Sequence, residues 1–135
     1  MKIISAKTIL TALAGSLAIT LLPSVATAQS MNPMRAKIDS FTDTFAVRVY
    51  PANPYQHRIR VEVKVYDKDF RPIRAMVSPA EFTLGSNFSR PVTVVVPFEG
   101  QKNRKVRICT EAIPFPGKQT TIKAQVCGKF LGTRL

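Results

Sequence analysis

The sequence predicts an all-β domain, an antiparallel β-sandwich of about seven short strands. Three observations predict it. Segments of strict period-two alternation recur, the clearest at residues 57–66. Ten prolines and six glycines punctuate the chain, with no tryptophan. No stretch shows helical apolar spacing. The chain has 135 residues, enough for one domain. Hydrophobic residues make up 45% and charged residues 21%, so a core is available and wholesale disorder is excluded.

Residues 1–28 read as a secretory signal peptide. Lys2 and Lys7 give a positive start, and Ile9 to Leu22 is apolar and uncharged. Pro23 breaks the run, and Ala26-Thr27-Ala28 is a small-residue cleavage motif. The run is about 14 residues, short of the roughly 20 a spanning helix needs, so cleavage after Ala28 is expected rather than a membrane anchor. Residues 29–135 form the expected domain. No second hydrophobic stretch follows, so no transmembrane segment is expected after cleavage. The expected compartment is the bacterial periplasm, or else the outside of the cell.

The elements follow in order. Thr44-Phe45-Ala46-Val47-Arg48-Val49-Tyr50 is a strand, and Pro51 to Pro54 is the turn after it. In 57–66, Ile59, Val61, Val63 and Val65 alternate with Arg58, Arg60, Glu62 and Lys64, which gives a strand with one face buried and one wet. Tyr66 to Phe70 reads as a turn, and Arg71-Pro72-Ile73 as a short edge piece. Val77 to Leu84 follows, then a Gly85-Ser86-Asn87 loop. Val92 to Val96 is a strand bracketed by Pro91 and Pro97. Glu99 to Asn103 is a polar turn, Lys105 to Ile113 a strand, Pro114 to Gly117 a tight connection, and Thr120 to Leu131 the last strand. At about 107 residues, this is the usual size of an immunoglobulin-like domain.

An exported chain permits disulfides, and Cys109 and Cys127 are the two cysteines. One bridge is the natural expectation, worth about 3 kcal/mol in the chain-entropy model. If the two face each other across an antiparallel pair, Arg107 opposes Lys129 and position 111 opposes 125. Cys109 then shares a face with Lys105 and Arg107. Cys127 shares one with Lys123, Gln125 and Lys129. Val106, Ile108, Ile122, Ala124 and Val126 take the core side. The bridge becomes a surface staple. Arg107 against Lys129 is mildly unfavourable. Either both side chains splay into water, or an anion belongs between them.

The residues resemble the N-terminal immunoglobulin-like domain of periplasmic pilus (fimbrial) assembly chaperones over about 31–131. Asn32-Pro33-Met34-Arg35 is similar to that family's arginine-bearing first strand. Val77 to Leu84 followed by Arg90-Pro91-Val92-Thr93-Val94 is similar to its proline-bearing segment and next strand. Arg107 to Pro114 resembles its sixth strand, with an acidic-to-Ile-Pro ending, and Cys127-Gly128-Lys129-Phe130 the end of its seventh. Some members carry a disulfide between those last two strands, with a cysteine two positions before the lysine. The resemblance implies that Arg35 and Lys129 hold a partner's C-terminal carboxylate. It also implies that Ile122, Ala124 and Val126, on an edge strand, contact a pilus-type subunit by strand addition. Family chaperones continue into a second domain; this sequence reaches Leu135 where the linker would begin, so a single-domain relative is expected.

Composition argues against catalysis. His57 is the single histidine, and eight acidic residues are scattered. No metal spacing, Gly-rich phosphate loop or catalytic CxxC occurs, so no enzyme activity, metal or cofactor is expected. His57 reads as an exposed residue at a strand start. The formal charge of +12 leaves a second function open. Arg58, Arg60 and Lys64 line one wet face, and Arg104, Lys105, Arg107, Lys123 and Lys129 line the last hairpin. The ordinary reading is a solvated surface. The functional one is binding to an acidic polymer such as lipopolysaccharide or acidic polysaccharide. Nucleic acid is not expected, since no aromatic residues interleave with these charges.

Overall fold

The computed structural model describes residues 29–115, 117 and 124–135. The expected signal segment, Ile122 and Lys123 lie outside the described residues. Among those described, every regular element is a strand: β1 (Ser30–Asn32), β2 (Arg35–Ser40), β3 (Thr44–Ala52), β4 (Ile59–Asp67), β5 (Met76–Ser78), β6 (Glu81–Leu84), β7 (Val92–Pro97), β8 (Asn103–Ile113) and β9 (Gln125–Arg134). They form two sheets, ordered β1-β3-β7-β5 and β2-β9-β8-β4-β6. All pairings are antiparallel except β2 with β9, which is parallel. The immunoglobulin-like β-sandwich read from the sequence is the observed fold.

The strand count is nine rather than about seven because β1 and β2 add to the expected strands and Pro79 divides 77–84 into β5 and β6, while the edge piece at 71–73 drops out. Pro33 separates β1 from β2, and the chain passes there from one sheet to the other. Pro79 separates β5 from β6 in the same way. Proline has no N–H for the ladder, so each is a natural break. The expected edge piece at 71–73 reduces to one bridge between Tyr66 and Pro72. The expected turn at Pro51 is also displaced. β3 runs through Pro51, opposite Met31, and the chain then crosses to the other sheet. Buried Asn53 pins that crossing: its Nδ2 donates to the carbonyls of His57 (2.8 Å) and Gly85 (2.9 Å), and its Oδ1 accepts from Tyr55 N–H (2.9 Å).

The core lies between the sheets and follows the alternation. Ile59, Val61, Val63 and Val65 of β4 are buried, and so are Phe45, Val47 and Val49 of β3. Val92, Val94 and Val96 of β7 are buried completely. Each contributes about 1.5–3 kcal/mol of burial. Arg104 is a correction: expected on the wet hairpin face, it is buried on the inner side of β8. Its guanidinium donates to the Pro97 carbonyl and pairs with Glu99 at 3.3 Å, at the end of the core. The parity was readable, but the charge concealed it.

Gly132 of β9 sits against the buried Phe45 ring, which packs on Phe98 with centroids 5.0 Å apart. A Cβ there would meet the ring at 2.5 Å. Gly132→Ala is therefore expected to destabilise by about 1–3 kcal/mol, read as a lower urea midpoint with an unchanged slope.

Candidate anion-binding site

The outer face of the five-stranded sheet is built in rows, because strand neighbours align and every second residue points outward. β9 lies between β2 and β8. One row holds Arg35, Lys129 and Arg107, each the direct partner of the next. The next row along the strands holds Lys37, Leu131 and Lys105. Lys68 reaches the same place from the loop after β4. Together these line a cleft of about 620 Å³. It has six cationic side chains and, among the described residues, no carboxylate. No salt bridge among the described residues neutralises any of the six.

Both ends of the cationic strip are bounded. On one side the row is Lys64, Cys109 and Cys127. There Lys64 pairs with Glu62 and Glu111, each at 3.5 Å. Burial pulls the Lys64 ammonium down, and the Glu62 and Glu111 carboxylates outweigh that, so its pKa is raised. On the other side the row holds Asp39, Thr133 and Asn103. The basic face expected for β4 is thus largely compensated, since Arg60 also pairs with Glu81. Six cations with no salt bridge among the described residues stand together on β2, β9, β8 and the Lys68 loop.

Arg107 is held rather than splayed. Its Nε donates to the Lys68 carbonyl at 3.1 Å, and its guanidinium lies over the Phe70 ring, 4.4 Å from the centroid. The loop that presents both partners is shaped by Asp67, whose carboxylate accepts from the N–H groups of Asp69 (2.8 Å) and Arg71 (2.9 Å). The Arg71 N–H leads in holding the Asp67 pKa below the usual carboxylate value.

The sequence placed Arg35, Lys129 and Arg107 at one site, and the structure puts all three in one row. It missed Lys37 and Lys68 as members, and it placed Lys105 only on the basic face of the last hairpin. The signal for Lys37 was its spacing of two from Arg35, hidden because residues 36–40 show little apolar alternation. The bridge between Cys109 and Cys127 is present, with Cα atoms 4.0 Å apart and the expected register. It lies on the outer face, yet Cys109 is 0% exposed, so the expected surface staple is half covered. Val126 is on the inner side and packs against the core. Ala124 lines a separate cleft with Ile113, Phe115 and Arg58. His57 is exposed at the approach to β4, as expected, and stacks on Tyr55.

The edge status of the last strand divides at Lys129. From Lys129 onward β9 is interior, covered by β2. Before it, Gln125 to Gly128 pair with β8 alone among the described residues. The Lys129 N–H donates to the Met34 carbonyl at 2.9 Å, at the boundary. Gly128 permits that approach, since a Cβ there would lie 3.0 Å from the Met34 oxygen. The cationic row therefore stands where the open edge ends.

No family model and no curated protein match the sequence. Solved structures match its fold. The E. coli chaperone DraB superposes with a TM-score of 0.65 at 18% identity, over 79% of this chain and 55% of that one. The SafB chaperone complex with the SafA pilin, from Salmonella enterica, gives a TM-score of 0.64 at 17% identity, over 82% and 56%. This chain thus spans little more than half the length of those chains. PapD-like domain 7 of human CEP192 matches over 99% of this chain and 98% of its own length, with a TM-score of 0.59 and 12% identity. The fold is that of a pilus-chaperone, PapD-like domain.

Two predictions follow from these contacts. Cys109→Ala/Cys127→Ala is expected to lower stability by about 3 kcal/mol, checked by urea unfolding of oxidised and variant protein. Because Asp67 titrates below its unfolded value, its contribution is complete above about pH 5 and is lost as pH falls through the lowered folded value. An NMR titration should show the Arg107 Nε–H shifting only in that acid range.

Proposed function

We propose that this chain is an exported, non-enzymatic binding module of the pilus-chaperone type, acting in the periplasm after removal of residues 1–28. It binds a protein partner by strand addition at the open part of β9, with Ile122, Ala124 and Val126 as the contact residues. Arg35 and Lys129 hold the partner's carboxylate, with Arg107 beside them. The observation that carries this reading is the in-register row of Arg35, Lys129 and Arg107 at the point where the open edge ends. Backbone hydrogen bonds from an added strand supply affinity, and the cations fix where it stops. Similarity to chaperones described with a bound pilin or a tip adhesion subunit supports a protein partner.

Binding of an acidic polymer is the second reading, favoured by the six uncompensated cations. The two differ in salt dependence. Apolar and backbone contacts survive high salt, whereas charge contacts weaken as screening shortens to about 3 Å at 1 M. In a pull-down from envelope extract with the oxidised domain, a protein partner is expected to remain through a high-salt wash. Arg35→Ala/Lys129→Ala should weaken its capture about tenfold or more. Equal capture by this variant refutes the carboxylate assignment, and loss of every partner at high salt replaces the reading with the polymer one.

A further inference from the structure

One carboxylate occupies one row. The second row, Lys37 and Lys105 with Leu131 between them, is left beside four more cations and no acid. Like charges at this density repel, and an added anion relieves them. The two rows are two residues apart on each of three strands, which is about 7 Å. Acidic side chains at alternate positions of an extended segment have the same separation.

We infer that the cleft takes two carboxylates in register, one over Arg35, Lys129 and Arg107 and one over Lys37, Lys105 and Lys68, from an extended acidic segment of the protein partner. This rests on the protein-partner reading above and adds the partner's charge pattern. Charge complementarity selects that occupant. A second copy of this chain, strongly basic with or without residues 1–28, would bring net positive charge against the strip. The strip is also finite: carboxylate-paired Lys64 closes one end and Asp39 the other. A finite two-row site suits a short segment with defined spacing better than a long uniform polymer. Arg107, held by Lys68 and Phe70, supplies a fixed donor in the first row.

The test uses capped eight-residue peptides of equal net charge, with two glutamates at alternate or at adjacent positions, and fluorescence anisotropy with the oxidised domain. The alternate peptide is expected to bind about tenfold more tightly than the adjacent one. Lys37→Ala/Lys105→Ala should abolish that preference, and an unchanged melting temperature shows that the variant is folded. Equal affinity of the two peptides, or a preference that survives in the variant, overturns the inference. If Arg35→Ala/Lys129→Ala still weakens partner capture in that case, the functional reading stands and only the two-carboxylate pattern fails. If neither peptide binds and capture is also unchanged, both fail. Competition by an acidic polysaccharide without any spacing preference likewise overturns it.

Discussion

The register of β9 between β2 and β8 is the constraint on which the rest depends. Backbone ladders on both sides of β9 fix which side chains stand abreast, and they do so without regard to charge. Arg35, Lys129 and Arg107 are brought together by that ladder although like charges directly opposed are unfavourable. What holds them is on the other face. Ile108, Val106 and Phe130 are buried in the core, so a slip of one residue would expose them and bury lysines. The disulfide locks the same register one row away. A site of crowded cations is therefore held by apolar packing beneath it.

Much of this was legible in the sequence, for physical reasons that differ by residue. The β4 alternation was plain because valine and isoleucine fill every inward position. The β8–β9 register followed from two cysteines, since a bridge tolerates few alignments. Other features were not legible. β2 was hidden because only Ala36 and Ile38 pack inward. Arg104 looked like surface because its buried head depends on Pro97 and Glu99, which only the fold brings near. Asn53 looked like a turn residue, yet it ties the 53–57 crossing to the Gly85 loop, which is distant in sequence. Charge compensation was equally hidden: Lys64 and Arg60 find carboxylates on neighbouring strands, whereas Lys37 and Lys105 do not.

The fold alone does not assign the function. The same architecture occurs in bacterial chaperones and in a human PapD-like domain, at identities too low to carry activity across. What bears on function in this chain is local. Six cations without a salt bridge among the described residues share one side of one sheet, and they abut the part of β9 that β2 does not cover. Pilus-chaperone likeness and a basic composition, which pointed to two different functions when taken separately, converge there.

The bond from the Lys129 N–H to the Met34 carbonyl has a consequence for any chain that docks on β9. It uses the donor that a continuing ladder would need, and β2 occupies every position beyond it. A docked strand can therefore lengthen only toward the N-terminal end of β9. A strand added to this edge would have one end set by the Lys129 bond, as a ruler has its zero mark. Guests of different length would share one aligned end and differ only at the other.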